Sequence, residues 1–509
     1  MFKSLFSKVR GWLYKLGIIK GVKKLVENRD LDISEVMYNE IEKWRCLYSG
    51  YFKEWHDITY QTIQGKQKRR MATLGMPKVV SEEMASIVFN EKCSINISED
   101  TLSETIESIL EDNGFYEAFQ HYLEYSFAMG GMVVKPYFKD GKILISFVGA
   151  ASFIPISWAN GNIYEGVFVN ESKRRNKKYT HLEWHLWESG KYVIRNELYR
   201  NDNQTDDLGI QVPLDELFEG LENETYFTVL DKPIFTYIKP NIANNVDMDS
   251  PLGVSIYANS LDVMKSLDIA FDSFQREFIL GKKRILVPAS LIRTVIDPET
   301  GTPTRYFDAT DEVYQGLNLG QDSDEIKDIS TELRVEEHIA AINALLNILA
   351  MQTGFSSGTF SFDGKSVKTA TEVVSENSKT FRTKQSHEII IGAGIKNVVE
   401  TIIKLGEAFQ LFKAPNDYEI TVTFDDSIAE DKTGNANYWI NLVSNGLSSK
   451  KKAIMKVLGL SEDEAIQMLQ EIQEENKTTT PEMIDFFGMN KGEGDNGSSK
   501  VSTANTTNS

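Results

Sequence analysis

The spacing of apolar residues changes several times along this chain of 509 residues. From Asp30 to Asn113 they recur every three or four positions, which predicts helices. From Met132 to about Ile238 they alternate with polar residues, which predicts strands. The pairs Asp140-Gly141 and Ser189-Gly190 each separate two strand-like runs and are typical of tight hairpin turns. The second segment is therefore expected to be an antiparallel meander.

Helical spacing returns after Ser250-Pro251, and it occurs there twice. One apolar seam ends at Gly281, which favours a helix stop, and a second begins near Ser330. Between them, Lys282 to Ile329 is rich in turn residues and contains the short strand candidate Ile285–Val287. Two helices of similar length that flank a small insert predict an antiparallel helix pair with the insert at its tip.

A glycine- and serine-rich loop, Gly354 to Lys368, separates this pair from a long predicted helix, about Thr369 to Phe412. The first half of that helix, Ser375 to Glu388, is polar nearly all round apart from Phe381. A helix with no apolar stripe is expected to be solvated or to face a water-filled space.

The rest of the chain contains one strand candidate and two short predicted helices, at Glu419–Phe424, Ala436–Asn445 and Ser461–Glu475. From Asn476 onwards the chain is rich in Thr, Gly, Asn and Ser, which predicts a disordered tail. Helical segments before and after an antiparallel β region place the chain in the α+β class.

Composition restricts the possible functions. The net charge of −19 argues against a protein that wraps nucleic acid, because such proteins neutralise phosphates with clustered lysine and arginine. No apolar run approaches the roughly eighteen residues that a membrane-spanning helix needs. The two cysteines, Cys46 and Cys93, are interpreted as buried thiols in a reducing compartment.

The N-terminal segment Phe2 to Val26 combines basic residues with apolar residues at helical spacing. It is not a signal peptide, since basic residues interrupt its apolar stretch throughout. One interpretation is a helix that lies on a membrane surface, which would make the chain a peripheral membrane protein. The favoured interpretation is a helix docked on an acidic protein face, because amphipathic helices usually pack on protein.

The segment Gly358 to Ser366 is similar to a phosphate-binding P-loop, which would make the chain a nucleoside triphosphatase. Five residues separate Gly358 from Gly364, whereas a P-loop needs four so that its amides converge on the phosphates. A helix also precedes the segment, where a P-loop needs a buried strand. This enzyme interpretation is therefore disfavoured.

His181, Glu183 and His185 share one face of a predicted strand and could in principle bind a metal ion. The favoured interpretation is a solvated strand face, with the intervening apolar residues turned inwards. The sequence has no nucleophile-elbow, paired CxxC or GxGxxG motif. No catalytic residue, metal site or cofactor is therefore predicted.

Several segments together resemble the portal proteins of tailed bacteriophages, in the subgroup common among phages that infect Gram-positive bacteria. The most specific segment is Ser250–Tyr257, with Asp268–Phe274 and Gly281–Arg284 after it. The other matching segments are Glu83–Glu91, Gly130–Pro136, Phe153–Ser157, Gln352–Ser356, Lys368–Val373 and Phe424–Ser427. Their order and spacing extend the resemblance over roughly residues 30 to 475.

The resemblance implies a portal fold with a wing, a two-helix stem, a clip and a crown, assembled as a ring of usually about twelve subunits. The corresponding segments are a basic amphipathic N-terminal helix (1–29), the wing region (30–250), the first stem helix (251–281), the clip (282–329), the second stem helix (330–352), the tunnel loop (353–368), a channel helix with a return strand of the wing (369–427), the crown (428–475) and the disordered tail (476–509).

The resemblance also implies a non-enzymatic conduit for DNA entry and exit at one capsid vertex of the virion, assembled in the host cytoplasm. The implied partners are further copies of the chain, double-stranded viral DNA, the terminase large subunit, head–tail connector or adaptor proteins, and the major capsid or scaffold protein. No membrane contact is implied.

Five basic residues are candidates for DNA contact: Lys365 and Lys368 in the loop, and Lys379, Arg382 and Lys384 in the long helix. The loop is expected to project into the channel, because its three phenylalanines are too apolar for a freely solvated surface. The alternative is that Phe355, Phe360 and Phe362 hold the loop against the stem while the lysines face bulk water.

Acidic residues of the stem are expected to face the channel, where they would keep phosphates from binding and so let DNA slide. The candidates are Asp268 and Asp272, one helical turn apart. A basic group, Lys282, Lys283 and Arg284, marks the junction of stem and clip.

Overall fold

The computed structural model describes residues 34–62, 65–202, 208–228, 230–281, 285–288, 295–296, 303–304, 314–317, 327–328, 332–362, 378–424, 432–458, 460 and 462–479. The predicted N-terminal helix, residues 1–29, and most of the predicted C-terminal tail lie outside these residues. The chain divides into two units, one that extends to Ala429 and one that begins at Glu430.

The first part of unit one is mainly helical. Its helices are α1 (Glu35–Tyr48), α2 (Lys53–His56), α3 (Met76–Val88), α4 (Asp100–Asp112) and α5 (Phe115–Met129). Only helices were predicted for Asp30 to Asn113, and that prediction was incomplete. An antiparallel hairpin of β1 (Asp57–Thr62) and β2 (Gly65–Arg70) follows α2. A further short strand, β3 (Ser94–Ile97), lies between α3 and α4.

The predicted antiparallel meander is confirmed. One sheet has the order β12-β4-β5, and the other has the order β10-β9-β8-β7-β6 with β11 paired to β9. Their strands are β4 (Met132–Lys139), β5 (Lys142–Gly149), β6 (Phe153–Ala159), β7 (Asn162–Arg174), β8 (Lys177–Glu188), β9 (Lys191–Asn201), β10 (Ile210–Val212), β11 (Glu224–Phe227) and β12 (Thr236–Ile238).

Both predicted hairpin turns are present. Asp140 and Gly141 have φ of 51° and 79°, and Ser189 and Gly190 have φ of 51° and 76°. Two consecutive positive φ angles give the turn a twist that matches the flanking strands. The local sequence alone therefore sets the register of β4 with β5 and of β8 with β9.

The predicted helix pair consists of α6 (Leu261–Leu280) and α7 (Val335–Thr353). It is antiparallel, because Glu277 near the end of α6 forms an ion pair of 2.9 Å with Arg334, which precedes α7. The predicted first helix began ten residues too early, at 251, because residues 251–257 are irregular, with Leu252, Val254 and Tyr257 buried.

The insert between the two helices contains short strands, as predicted for its Ile285–Val287 segment. The strands are β13 (Ile285–Pro288), β14 (Val295–Ile296), β15 (Pro303–Thr304), β16 (Tyr314–Leu317) and β17 (Lys327–Asp328). β13 is the centre of a three-stranded sheet, parallel to β16 and antiparallel to β17.

A long helix, α8 (Ser378–Ala408), extends through the core of unit one. Its second half is strongly apolar, with Ile391, Ile395, Val399 and Ile402 fully buried. After it, β18 (Ile420–Thr423) pairs antiparallel with β3, more than three hundred residues earlier in the sequence. The return strand thus ties the end of unit one to its beginning.

Unit two contains α9 (Lys432–Ser444), α10 (Lys450–Leu458) and α11 (Glu462–Thr479). The sequence predicted α9 and α11 but missed α10. The predicted start of the tail at Asn476 is wrong, because α11 continues through Thr479. The run of glutamate, glutamine and lysine before that point consists of good helix formers.

Within the described residues, no helix has both the length and the apolar character that crossing a membrane requires.

Candidate DNA-contacting site

Asp268 and Asp272 bind the end of the β1–β2 hairpin and the segment that follows it. Asp272 accepts two parallel hydrogen bonds of 2.6 Å from the guanidinium of Arg69, and its Oδ1 also accepts one of 3.0 Å from the amide of Ala72. Asp268 Oδ1 accepts hydrogen bonds from the amide of Leu74, at 2.8 Å, and from the hydroxyl of Thr73, at 2.9 Å.

The predicted role of these two aspartates as channel-facing acids is therefore wrong. Both side chains are buried, with 6% of Asp268 and 7% of Asp272 exposed. The hydrogen bonds from Arg69 are the main reason that the pKa of Asp272 lies below its usual value. The i,i+4 spacing does place both carboxylates on one helix face, but that face is covered by the chain's own hairpin.

Lys384 is also buried, which corrects its assignment as a DNA-contacting residue. Its ammonium lies 2.6 Å from the carboxylate of Glu388, one turn further along α8. A buried charge is stable only when it is paired, and this pair occupies the lysine inside the protomer. The expectation that Ser375 to Glu388 is solvated all round is wrong for this face, where Thr380 and His387 are buried as well.

Arg382 and Lys379 lie on the other side of the same helix. Arg382 is exposed and Lys379 is half-buried, with its ammonium donating a hydrogen bond to the carbonyl of Met351 near the end of α7. They line one cleft together with Asn241, Gln352, Thr383 and Ser386. Of the three predicted DNA-contacting residues on α8, these two are placed where an outside anion can reach them.

His387 lines the cleft from its buried side. Its Nδ1 accepts a hydrogen bond of 3.0 Å from the amide of Asn241, so the proton is on Nε2 in the neutral ring. Burial lowers the pKa of His387 to about 4, so the ring is uncharged at neutral pH. Among the described residues that line this cleft, Arg382 and Lys379 are therefore the ones that bring positive charge to it.

The loop that follows α7 packs against the helix pair over its described part. Phe355 is buried against Phe360, at 5.0 Å between ring centroids, and Phe362 lies edge-on to Phe274 of α6 at 5.7 Å. This matches the alternative in which the phenylalanines hold the loop against the stem. The prediction that the whole loop projects is wrong for residues 354–362.

Side chains of α7 and α8 complete the attachment of this loop. Asn347 Oδ1 accepts a hydrogen bond of 2.8 Å from the amide of Gly358, and Asn343 Oδ1 accepts one of 2.8 Å from the amide of Phe362. The amide of Ser356 donates a hydrogen bond of 2.9 Å to the hydroxyl of Thr380 in the first turn of α8. These contacts explain how a glycine-rich segment is held in one conformation over residues 354–362.

The remaining predicted site residues lie outside the described residues. These are Lys365 and Lys368 of the loop, and Lys282, Lys283 and Arg284 at the junction of stem and clip. Their predicted roles stay predictions.

The polar residues on one face of β8 form a buried network, so the expectation of a solvated strand face is wrong. Glu183 binds Lys135 at 2.6 Å and the Nε2 of His185 at 2.8 Å, and His185 Nδ1 lies 2.7 Å from the hydroxyl of Tyr192. Burial alone would raise the pKa of Glu183, but Lys135 and His185 outweigh it and lower that pKa. Burial lowers the pKa of His185, so its ring stays neutral.

His181, at the other end of the same strand face, bonds to Asn196 at 3.0 Å. The partners of these groups are thus protein side chains: Tyr192 and Asn196 come from the neighbouring strand β9, and Lys135 comes from β4 of the other sheet. Among the described residues, no group of three or more His, Cys, Asp or Glu side chains has a geometry that could hold a metal ion.

A basic surface on β2 was missed by the sequence reasoning. Lys66, Lys68 and Arg70 are exposed and occupy alternate positions of the strand. The sequence signal was available, since four of the six residues in Gly65-Lys-Gln-Lys-Arg-Arg70 are basic. A strand period in that run places three of its four charges on one face.

Comparison with known proteins assigns the class. A family model described as phage portal protein, SPP1 Gp6-like, matches residues 28–482, which is most of the chain. The chain belongs to this family of phage portal proteins. No curated protein sequence matches it significantly. Portal proteins are in general structural components of the phage particle rather than enzymes.

Proposed function

We propose that this chain assembles into a closed ring that conducts viral DNA into and out of the capsid at one vertex. Membership of the portal family supports this role, and the apolar surface of the helix pair supports the ring. Further proposed partners are the terminase large subunit, head–tail connector proteins, and the major capsid or scaffold protein.

The exposed apolar residues of the helix pair and of α8 are the observation that carries the ring. Ile279 is 61% exposed, Met351 is 58% exposed and Ile389 is 72% exposed, and Ile269, Phe278, Leu280 and Ile348 are also exposed. Large apolar side chains left exposed along packed helices often mark an interface. A head-to-tail interface between identical copies generates a ring when its rotation closes.

Substitutions at these positions test the ring without disturbing the protomer. Ile279→Glu with Ile389→Glu should leave the far-ultraviolet circular dichroism unchanged, because both side chains are already exposed, but should give monomers in mass photometry. Met248→Glu is the matched control, since Met248 is 88% exposed and lies outside the helix pair. Rings formed by the double variant, or only monomers formed by the unaltered protein, would contradict the proposal.

The insert 282–329 is proposed as the docking tip for the terminase motor and connector proteins. It lies between two helices whose near ends touch: a Cβ on Gly281 would lie 2.4 Å from Leu333 Cδ2. This closeness allows the insert to be removed and the helices rejoined by a short turn. The shortened protein should still form rings but should fail in a packaging assay with its terminase. Normal packaging by those rings would contradict the assignment.

A further inference from the structure

The β1–β2 hairpin has two chemically different faces. In its register Lys66 is opposite Gln61, Lys68 is opposite Thr59, and Arg70 is opposite Asp57. Residues directly opposite in an antiparallel pair share a face, so this face, here called the basic face, consists entirely of polar and charged side chains. Arg69 points to the other side, where it binds Asp272 of α6.

The hairpin is attached to the rest of unit one at several points, which fixes the orientation of the basic face. The two hydrogen bonds from Arg69 to Asp272 form one attachment. Arg70 forms another, since its guanidinium donates a hydrogen bond of 2.7 Å to the carbonyl of Gly50 and lies 5.3 Å from the centre of the Tyr51 ring. Lys66 and Lys68 therefore extend from an anchored support.

The charges of the basic face are not neutralised within the described residues. Neither Lys66 nor Lys68 has an ion-pair partner there, and both are exposed. The one acid on this face is Asp57, whose carboxylate accepts a hydrogen bond of 2.8 Å from Tyr51. The chain as a whole carries a net charge of −19, so three aligned cations on one strand form a local concentration of the opposite charge.

We infer that the basic face of the hairpin binds the phosphate backbone of double-stranded DNA. This inference rests on the proposed function, because it takes DNA to be the polyanion that the assembled protein meets. Lysine and arginine contacts to phosphates do not depend on the base sequence, and a conduit for a whole genome needs contacts of that kind.

The composition of the face favours phosphate over a protein partner. Protein interfaces have an apolar centre surrounded by a polar rim, and the basic face has no apolar side chain.

The test compares two double charge reversals of equal size. Lys66→Glu with Lys68→Glu alters the basic face and leaves Arg69 and Arg70, which attach the hairpin, in place. Lys139→Glu with Lys413→Glu is the control, because these two lysines are exposed elsewhere in unit one. Each full-length protein is titrated into a short fluorescent duplex of mixed sequence, and anisotropy is measured from about 50 to 200 mM salt.

If the face contacts two phosphates through Lys66 and Lys68, its reversal lowers the slope of log affinity against log salt by about 1.8. Over that fourfold salt range, unaltered protein should then lose about tenfold more affinity than the variant. The control should keep the unaltered slope. Equal slopes for the two double variants, or no DNA binding by the unaltered protein at low salt, would overturn the inference.

Mass photometry of the same samples separates this inference from the proposed function. Intact rings with weakened DNA binding are expected for the Lys66, Lys68 reversal. Monomers from that variant alone would mean that the face binds a neighbouring subunit, which overturns the inference while the ring stands. Monomers from the unaltered protein would instead contradict the proposed function.

Discussion

The guanidinium of Arg69 and the carboxylate of Asp272 are joined by two parallel hydrogen bonds of 2.6 Å, across 203 residues of sequence. Bidentate pairs of this kind are geometrically specific as well as strong. The contact connects the β1–β2 hairpin to α6, the first helix of the antiparallel pair. Asp272, which the sequence predicted to face a channel, is thus bound to Arg69 inside the protomer.

Loss of this pair should destabilise the protein. Arg69→Gln should lower the free energy of unfolding by about 2–3 kcal/mol, because it leaves a buried, charged Asp272 without its main partner. Urea denaturation at fixed protein concentration measures the change. Arg276→Gln is the matched control, since Arg276 lies one helical turn from Asp272 and acts on its carboxylate through charge without a hydrogen bond. Equal effects of the two substitutions would contradict the assignment of Arg69 as the partner.

Lys384 and Arg382 should respond differently to substitution, although both were candidates for DNA contact. Lys384→Ala should destabilise the fold by about 3 kcal/mol, because it leaves Glu388 buried without the ammonium. Arg382→Ala should change stability by less than about 0.5 kcal/mol, because the side chain is exposed. Thermal unfolding of both variants measures these changes in stability. A Lys384→Ala protein as stable as the unaltered protein would argue against a structural role for Lys384.

Acid should weaken the protein through His387. The pKa of this buried ring is about 4, and in the unfolded chain it should be near 6.5. Below pH 6.5 the unfolded chain therefore binds a proton that the folded chain does not, so the free energy of unfolding falls as the pH drops. Below about pH 4 both states bind this proton, and His387 causes no further loss. The total loss is about 3 kcal/mol.

His387→Gln should flatten this part of the pH profile, because glutamine does not titrate and its carbonyl can still accept the hydrogen bond from Asn241. His121→Gln, at an exposed histidine, is the control and should leave the profile unchanged. Denaturant midpoints between pH 4 and 7 provide the measurement. Parallel profiles for His387→Gln and the unaltered protein would show that the acid sensitivity arises elsewhere.

The purified protein should not hydrolyse ATP. The glycine spacing of Gly358 and Gly364 does not fit a P-loop, and the described residues up to Phe362 are held against α7 by Asn343 and Asn347. A phosphate-release assay on assembled rings checks this. Saturable ATP binding that disappears in Lys365→Ala would revive the enzyme interpretation.

Local sequence was sufficient for several elements of this protein. Asp140-Gly141 and Ser189-Gly190 determined their hairpins, because positive φ angles at two adjacent positions are a property of those residues themselves. Apolar periodicity likewise predicted α6, α7 and the long helix α8. A helix that packs on a core shows an apolar stripe in its sequence, and this stripe does not depend on which element covers it. The resemblance to portal proteins also came from sequence, and the family match confirms it.

Only the tertiary structure decided which polar residues are buried and which are exposed. Asp272 is buried because Arg69 meets it, and Glu183 is buried because Lys135 of another sheet meets it. Whether water or a distant side chain compensates a charged residue depends on contacts between segments that are remote in sequence. The local sequence around that residue therefore does not reveal which of the two it is. For the same reason the chain alone did not reveal that β18 pairs with β3, whereas the fold brings them together.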